Sequence, residues 1–223
     1  MNRILRFAVL AALVLTVAAL PALADSFEVS LDTSALTGTT QLFGFAITGT
    51  MGNSVSLSGF TFVGGSAITG TEDCTLGGLL SGMGCSGNMT SGVSLTDNNS
   101  DFEAFFTQQF NVGTSLSFDL TTTNNYSSGT PDGLFMYVCD VTLSTCYSDE
   151  TNTSAMLILP LGGGTLSPSS FELYGASAQN LPAPVVTELA TVPEPSNLLL
   201  LGAALLMVTL LWRYERQARA ASL

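Results

Sequence analysis

Phe27-Glu28-Val29-Ser30-Leu31-Asp32 alternates apolar and polar side chains without a break. Successive side chains of an extended chain point to opposite faces. This stretch therefore sets Phe27, Val29 and Leu31 on one side and Glu28, Ser30 and Asp32 on the other, as a half-buried strand requires. The same period returns at Phe43, Phe45 and Ile47, at Val55 and Leu57, in Leu116-Ser117-Phe118-Asp119-Leu120 and in Phe171-Glu172-Leu173, and Phe106 and Phe110 fit a strand. Between Leu57 and Phe60 the phase slips by one residue across Gly59, which predicts a bulge or bend. Leu134-Phe135-Met136-Tyr137-Val138 is apolar on both faces and reads as a central strand.

Clusters of Gly, Asn, Ser, Thr and Asp separate these runs. Thr130-Pro131-Asp132-Gly133 predicts a turn, because proline presets one dihedral and glycine accepts positive φ. No stretch before the C-terminal tail carries a convincing 3.6-residue period. The expected fold is all-β, an antiparallel β-sandwich of jelly-roll type over residues 25–174, long enough for one domain with a proper core and too short for two. Residues 175–191 turn to Ala, Ser and Pro, with Pro182 and Pro184, and predict a linker.

Outside the sandwich lie two unlike ends. At the N-terminus Arg3 and Arg6 precede an apolar run over 7–20, closed by Pro21-Ala22-Leu23-Ala24. Charged, hydrophobic and small-residue parts in that order predict a signal peptide over 1–24, cut after Ala24 with Ala22 and Ala24 as the recognised small residues. At the C-terminus Val192-Pro193-Glu194-Pro195-Ser196 is followed by an apolar stretch and then by Arg213, Arg216 and Arg219. The expected division is a motif over 192–196, a transmembrane helix over 197–212 and an Arg-rich end over 213–223. At about 1.5 Å per residue the apolar stretch 198–212 reaches only about 23 Å, a marginal span of a core roughly 30 Å thick. Arginine retention on the inner side places both ends inside and the middle outside. Pro193 and Pro195 favour an extended, accessible segment at the outer face of the membrane.

In these three parts the tail resembles the PEP-CTERM sorting signal of Gram-negative bacteria. The resemblance covers residues 192–223. It implies recognition of Pro193, Glu194 and Pro195 by an exosortase, a membrane-embedded cysteine protease or transpeptidase that removes the helix, with the chain as its substrate. The same kind of tail is also known as an ice-binding-protein C-terminal domain, a label that describes the tail and implies nothing about binding ice. The implied role is an exported cell-surface or extracellular-matrix protein, associated with exopolysaccharide or biofilm. Its implied course runs from an inner-membrane-anchored precursor facing the periplasm to the cell surface or beyond.

All five basic residues, at positions 3, 6, 213, 216 and 219, lie in the two ends, and the chain has no histidine. The passenger holds every acidic residue except Glu194 and Glu215, 15 of 17. Binding of the passenger to nucleic acid or anionic lipid is disfavoured on this ground, since both draw on Lys or Arg against phosphate. Cations, neutral glycans and proteins stay open as partners. Serine and cysteine nucleophiles lack a histidine base, and lysine chemistry is absent, which leaves paired carboxylates as the main surviving route to an enzyme. No such pair is marked, and a non-enzymatic protein with no cofactor is the expectation.

Four cysteines in an oxidising compartment allow three pairings. The near-neighbour solution joins Cys74 to Cys85 and Cys139 to Cys146, each bridge worth about 2 to 3 kcal/mol. Asp97-Asn98-Asn99-Ser100-Asp101-Phe102-Glu103 spaces oxygen ligands at alternate positions, so Asp97, Asn99 and Asp101 form a weak calcium candidate. Phe102 stands where an EF-hand loop wants glycine and Gln108 where it wants glutamate. Asp149-Glu150 is a weaker candidate still. Sequons begin at Asn88, Asn98, Asn125 and Asn152, and read as by-products of an Asn- and Thr-rich surface. The alternating phenylalanines read as core rather than as platforms for sugars. The second functional expectation is a secreted module that binds glycan or calcium, and the third a carboxylate-dependent glycosidase.

Overall fold

In the computed structural model of the chain, the described residues are 25–50, 52–75, 84–97, 103–126 and 128–189. The signal peptide, the Pro-Glu-Pro motif and the apolar tail expected from the sequence lie outside them. Among the described residues no helix is long and apolar enough to cross a membrane.

The chain forms β1 (Asp25–Asp32), β2 (Thr40–Thr48), β3 (Ser54–Val63), β4 (Ser66–Ala67), β5 (Cys85–Asn88) and β6 (Gly92–Thr96). It continues with β7 (Glu103–Asn111), β8 (Ser115–Thr122), β9 (Asp132–Cys139), β10 (Leu157–Leu161), β11 (Glu172–Leu173) and β12 (Val185–Glu188). Three single 3-10 turns, Ser34–Leu36, Pro168–Ser170 and Ser177–Gln179, complete the elements among the described residues. Every ladder is antiparallel. One sheet, sheet A, runs β12-β1-β8-β3-β6-β5, and the other, sheet B, runs β11-β10-β9-β2-β7-β4.

The period-two pattern puts apolar side chains on one face of each sheet, and these faces meet. Phe27, Val29, Leu31, Leu57, Leu116, Phe118 and Leu120 of sheet A share one buried cluster with Phe43, Phe45, Ile47, Phe106, Phe110, Leu134 and Met136 of sheet B. Phe43 stands at the junction: its ring lies 5.5 Å from Phe118 and 5.9 Å from Phe60, edge-on to both.

The bulge expected at Gly59 is present, with the β3–β8 register shifting between Ser58 and Thr61 and Gly59 at φ +63°. β9 is an interior strand between β10 and β2, in keeping with its two apolar faces.

Two expectations are corrected. Residues 175–191 do not form a linker from end to end. Ala176 bridges to Leu181, and Val185–Glu188 is a strand on the free side of β1, with Val29 opposite Val186. The reason is local: Val185-Val186-Thr187 is β-branched, and Val186 completes the core. Pro182 and Pro184 fall before the strand, at a sheet margin where no N–H is called for. Asp132 and Gly133, expected in a turn, are instead the first residues of β9, and Asp132 is buried.

Candidate functional site

The acidic side chains are the only charged chemistry of the described sandwich, and besides those on the strands they include a buried pair and a set of loop clamps. Asp97 is 2 % exposed and Asp132 1 %, both beside the segment entering β3. Asn53, fully buried, organises this end. Its side-chain amide donates to Asp132 Oδ2 at 2.7 Å and to the Asn125 carbonyl at 3.0 Å. Its oxygen accepts from the Asn125 N–H at 2.6 Å and the Thr123 hydroxyl at 3.1 Å. Asp132 Oδ1 accepts from the Thr50 N–H at 2.9 Å. A Cβ at Gly49 would collide with the Asp132 carboxylate, and Gly49 has φ +139°, so glycine is required there twice over.

Asp97, the first residue of the calcium candidate, accepts from the Gly52 N–H at 3.3 Å, and its own N–H donates to the Asn53 carbonyl at 2.8 Å. It is thus tied to the same segment. Asn99 and Asp101 lie outside the described residues. Among the described residues no group of three His, Cys, Asp or Glu is placed to hold a metal ion.

On the loops each carboxylate collects nearby donors. Asp149 accepts from the Ser177 hydroxyl at 2.7 Å and from its N–H at 2.9 Å. Glu150 accepts from the N–H groups of Asn152, Thr153 and Ser154 and from the Thr153 hydroxyl. Asp140 takes the hydroxyls and N–H groups of Ser144 and Thr142 inside the loop closed by Cys139–Cys146. The second bridge is Cys74–Cys85, so both near-neighbour pairs are formed.

These donors favour the charged carboxylate. The Ser144 hydroxyl first, and then that of Thr142, hold Asp140 well below the usual range, and the Ser177 hydroxyl lowers Asp149. The Asn152 N–H, then the Thr153 hydroxyl, bring Glu150 down to about 2. A depressed folded-state value means that the stabilisation is present above the unfolded-state value and is lost as pH falls through the folded one. Thermal stability should therefore decline between about pH 4.5 and pH 2, the unfolded carboxylate value being about 4. Glu150→Gln should flatten part of that decline, as measured by melting temperature against pH.

The two outer faces of the sandwich are chemically unlike. On sheet A, Ser86, Ser94, Ser56, Thr121 and Ser26 stand opposite one another in successive ladders and form a row of hydroxyls across five strands. Ser58, Asp119, Glu28 and Thr187 form a second row, with no aromatic side chain between them.

On sheet B the residues next to core positions point outward. Phe106, Leu134, Met136 and Val138 belong to the core, so Phe105, Phe135 and Tyr137 belong to the other face. Phe105, Ala46, Phe135 and Ile158 lie in one register row, and Gly44 sits between Thr107 and Tyr137 in the next. The Phe105 and Tyr137 rings are 6.1 Å apart, tilted by 47°. They close over Gly44, where a Cβ would lie 3.4 Å from Tyr137 and 3.7 Å from Phe105. The Phe135 ring likewise covers Gly133. Glycine lets these rings lie down on the sheet. Phe105 is nearly covered, whereas Phe135, Tyr137 and Ile158 stay half-exposed.

Sequence reasoning assigned the phenylalanines to the core as a class and so missed this patch. The signal was present in Phe105-Phe106, where adjacent aromatics must occupy opposite faces of one strand. No family model, no curated protein and no solved structure matches this chain.

Proposed function

We propose that the chain is the precursor of an exported, non-enzymatic surface or extracellular-matrix protein of a Gram-negative bacterium. Signal peptidase releases its N-terminus after Ala24, the tail anchors it transiently in the inner membrane, and an exosortase-type enzyme reads Pro193-Glu194-Pro195. The passenger then joins the exopolysaccharide or biofilm outside. One observation carries this reading: all five basic residues lie in the two ends, so the passenger over 25–191 has no positive side chain. Two disulfide bridges in that passenger are in keeping with an oxidising compartment. Mass spectrometry of the mature protein from its host should find Asp25 as the first residue and the stretch 198–223 missing. A mature chain that retains 198–223 would refute the processing.

A second reading, a glycan-binding module, draws on the outer face of sheet B. A jelly-roll sandwich is an architecture common among lectins, and the partial strand orders 1-8-3-6 and 2-7-4 within the two six-stranded sheets support that reading. Aromatic rings lying flat on a sheet offer the apolar surface on which a neutral sugar stacks. With no cationic side chain in the passenger, an anionic glycan has no partner there. On an array of neutral and anionic glycans, binding should be confined to neutral ones and fall at least ten-fold with Tyr137→Ala. An array with no signal, together with a melting temperature indifferent to calcium, would sink both forms of the second reading.

A further inference from the structure

We propose that β12 is a detachable strap, whose release from β1 supplies the slack by which Pro193-Glu194-Pro195 reaches its processing enzyme; this rests on the export and sorting reading above.

The linker expected from the sequence would have given residues 175–191 as a flexible lead to the motif. The fold takes most of it away. The Leu189 N–H still donates to the Ser26 carbonyl at 3.0 Å, so ordered pairing with β1 extends to Leu189. Only residues 190–192 then separate the sandwich from Pro193. Four Cα steps span at most about 14 Å. An enzyme that reads an extended motif in a membrane-embedded cleft has to accommodate chain on both sides of the motif, and the sandwich would sit at its mouth.

The entering end of the chain lies at the same place. Asp25 is opposite Thr122, and the next residue, Ser26, is the acceptor for Leu189. The two ends of the described sandwich therefore lie side by side on sheet A.

β12 is built to give way. It is a margin of sheet A, joined to β1 over the four pairs Phe27–Glu188, Glu28–Thr187, Val29–Val186 and Ser30–Val185. Of its side chains only Val186 reaches the core, while Val185 is 60 % exposed. Pro182 and Pro184 contribute no N–H, so little ladder precedes it. A short marginal strand with one buried side chain belongs to the least stable part of a fold. Its release leaves Leu181 bridged to Ala176 and frees residues 182–192, a lead of roughly 38 Å when extended.

The test is a pulse-chase of the full chain in its host, following conversion of precursor to the shortened form. Glu28 and Thr187 are directly opposite and both exposed, and opposite residues in an antiparallel ladder are about 4.5 to 5.5 Å apart, within disulfide range. The pair Glu28→Cys with Thr187→Cys pins the strap, and thiol labelling reports that the bridge has formed. The pinned chain should convert at least ten-fold more slowly than wild type. Eight Gly and Ser residues inserted between Leu189 and Ala190 of the pinned chain should restore the rate to within about two-fold. A pinned chain that converts at the wild-type rate overturns the proposal. So does one that stays slow after the insertion, because the bridge would then act by misfolding or another route. A wild-type chain that is never shortened overturns it too, and is distinguishable because the sorting reading itself has then failed.

Discussion

Asn53→Ala should lower the unfolding free energy by about 3 to 5 kcal/mol, read as a fall in the urea midpoint with an unchanged slope. Few single truncations in the described sandwich should cost more, although Asn53 is not apolar. Its amide joins the buried Asp132 carboxylate, the Asn125 backbone on both its N–H and its carbonyl, and the Thr123 hydroxyl. Removing it takes a donor from a buried carboxylate in a domain with no cation to replace it. Asn53→Leu, close to Asn in size, separates the two possible causes. If the lost volume were responsible, leucine would rescue; if the stranded polar partners are responsible, it should lose as much as alanine. A loss below about 1 kcal/mol in both variants would mean that water replaces the amide with little penalty, contrary to the burial of the site.

Phe43→Ala should also lower the unfolding free energy by about 3 to 5 kcal/mol, through a cavity rather than a stranded polar group. Phe43 is fully buried and its ring meets Phe118 and Phe60 of the facing sheet edge-on, with Phe45 6.5 Å away on its own strand. Truncation removes the wedge between the two sheets, and the bulge at Gly59, which brings Phe60 to that ring, limits how far β3 can follow. Phe43→Leu keeps most of the volume and should cost about 1 to 2 kcal/mol. Val63→Ala, at a side chain 53 % exposed, should change stability by under about 0.5 kcal/mol, and serves as the reference surface change. Equal losses for Phe43→Ala and Val63→Ala would show that the sheets do not meet where the rings place them.

The strands that could be read directly are those whose alternation is enforced by water on one side. In β1 and β8 the outward partners are Glu28, Ser30, Ser117 and Asp119, so the period of two is visible in polarity alone. β2 gave three of its inward residues, Phe43, Phe45 and Ile47, but its other face, with Gly44 and Ala46, is covered by rings from β7 and β9, and no polarity marks it. The short strands β4, β5 and β11 have two to four residues and no period to detect. β12 was hidden by its neighbours, since two prolines and an Ala-Ser-rich approach look like linker whatever follows them. The polar end around Asn53 was illegible for another reason. Asp132 next to Pro131 and Gly133 has the composition of a solvated turn, and only its tertiary partners, some 80 residues away, turn it into a buried anchor. The disulfides were legible because short separations between cysteines favour local closure.

The position of β1 also sets the timing of folding. It is the first of the described strands to leave the ribosome, yet one of its partners in sheet A comes mid-chain and the other late: Asp25 waits for Thr122, and Phe27 for Glu188. At about 5 to 20 residues per second, the second pairing is not possible until roughly 8 to 32 s of synthesis have passed. High contact order of this kind slows closure further, because a long loop must be ordered before any ladder forms. During that interval β1 can form its ladder with β8 but not the one with β12, so its other side stays unpaired until Glu188 has been made.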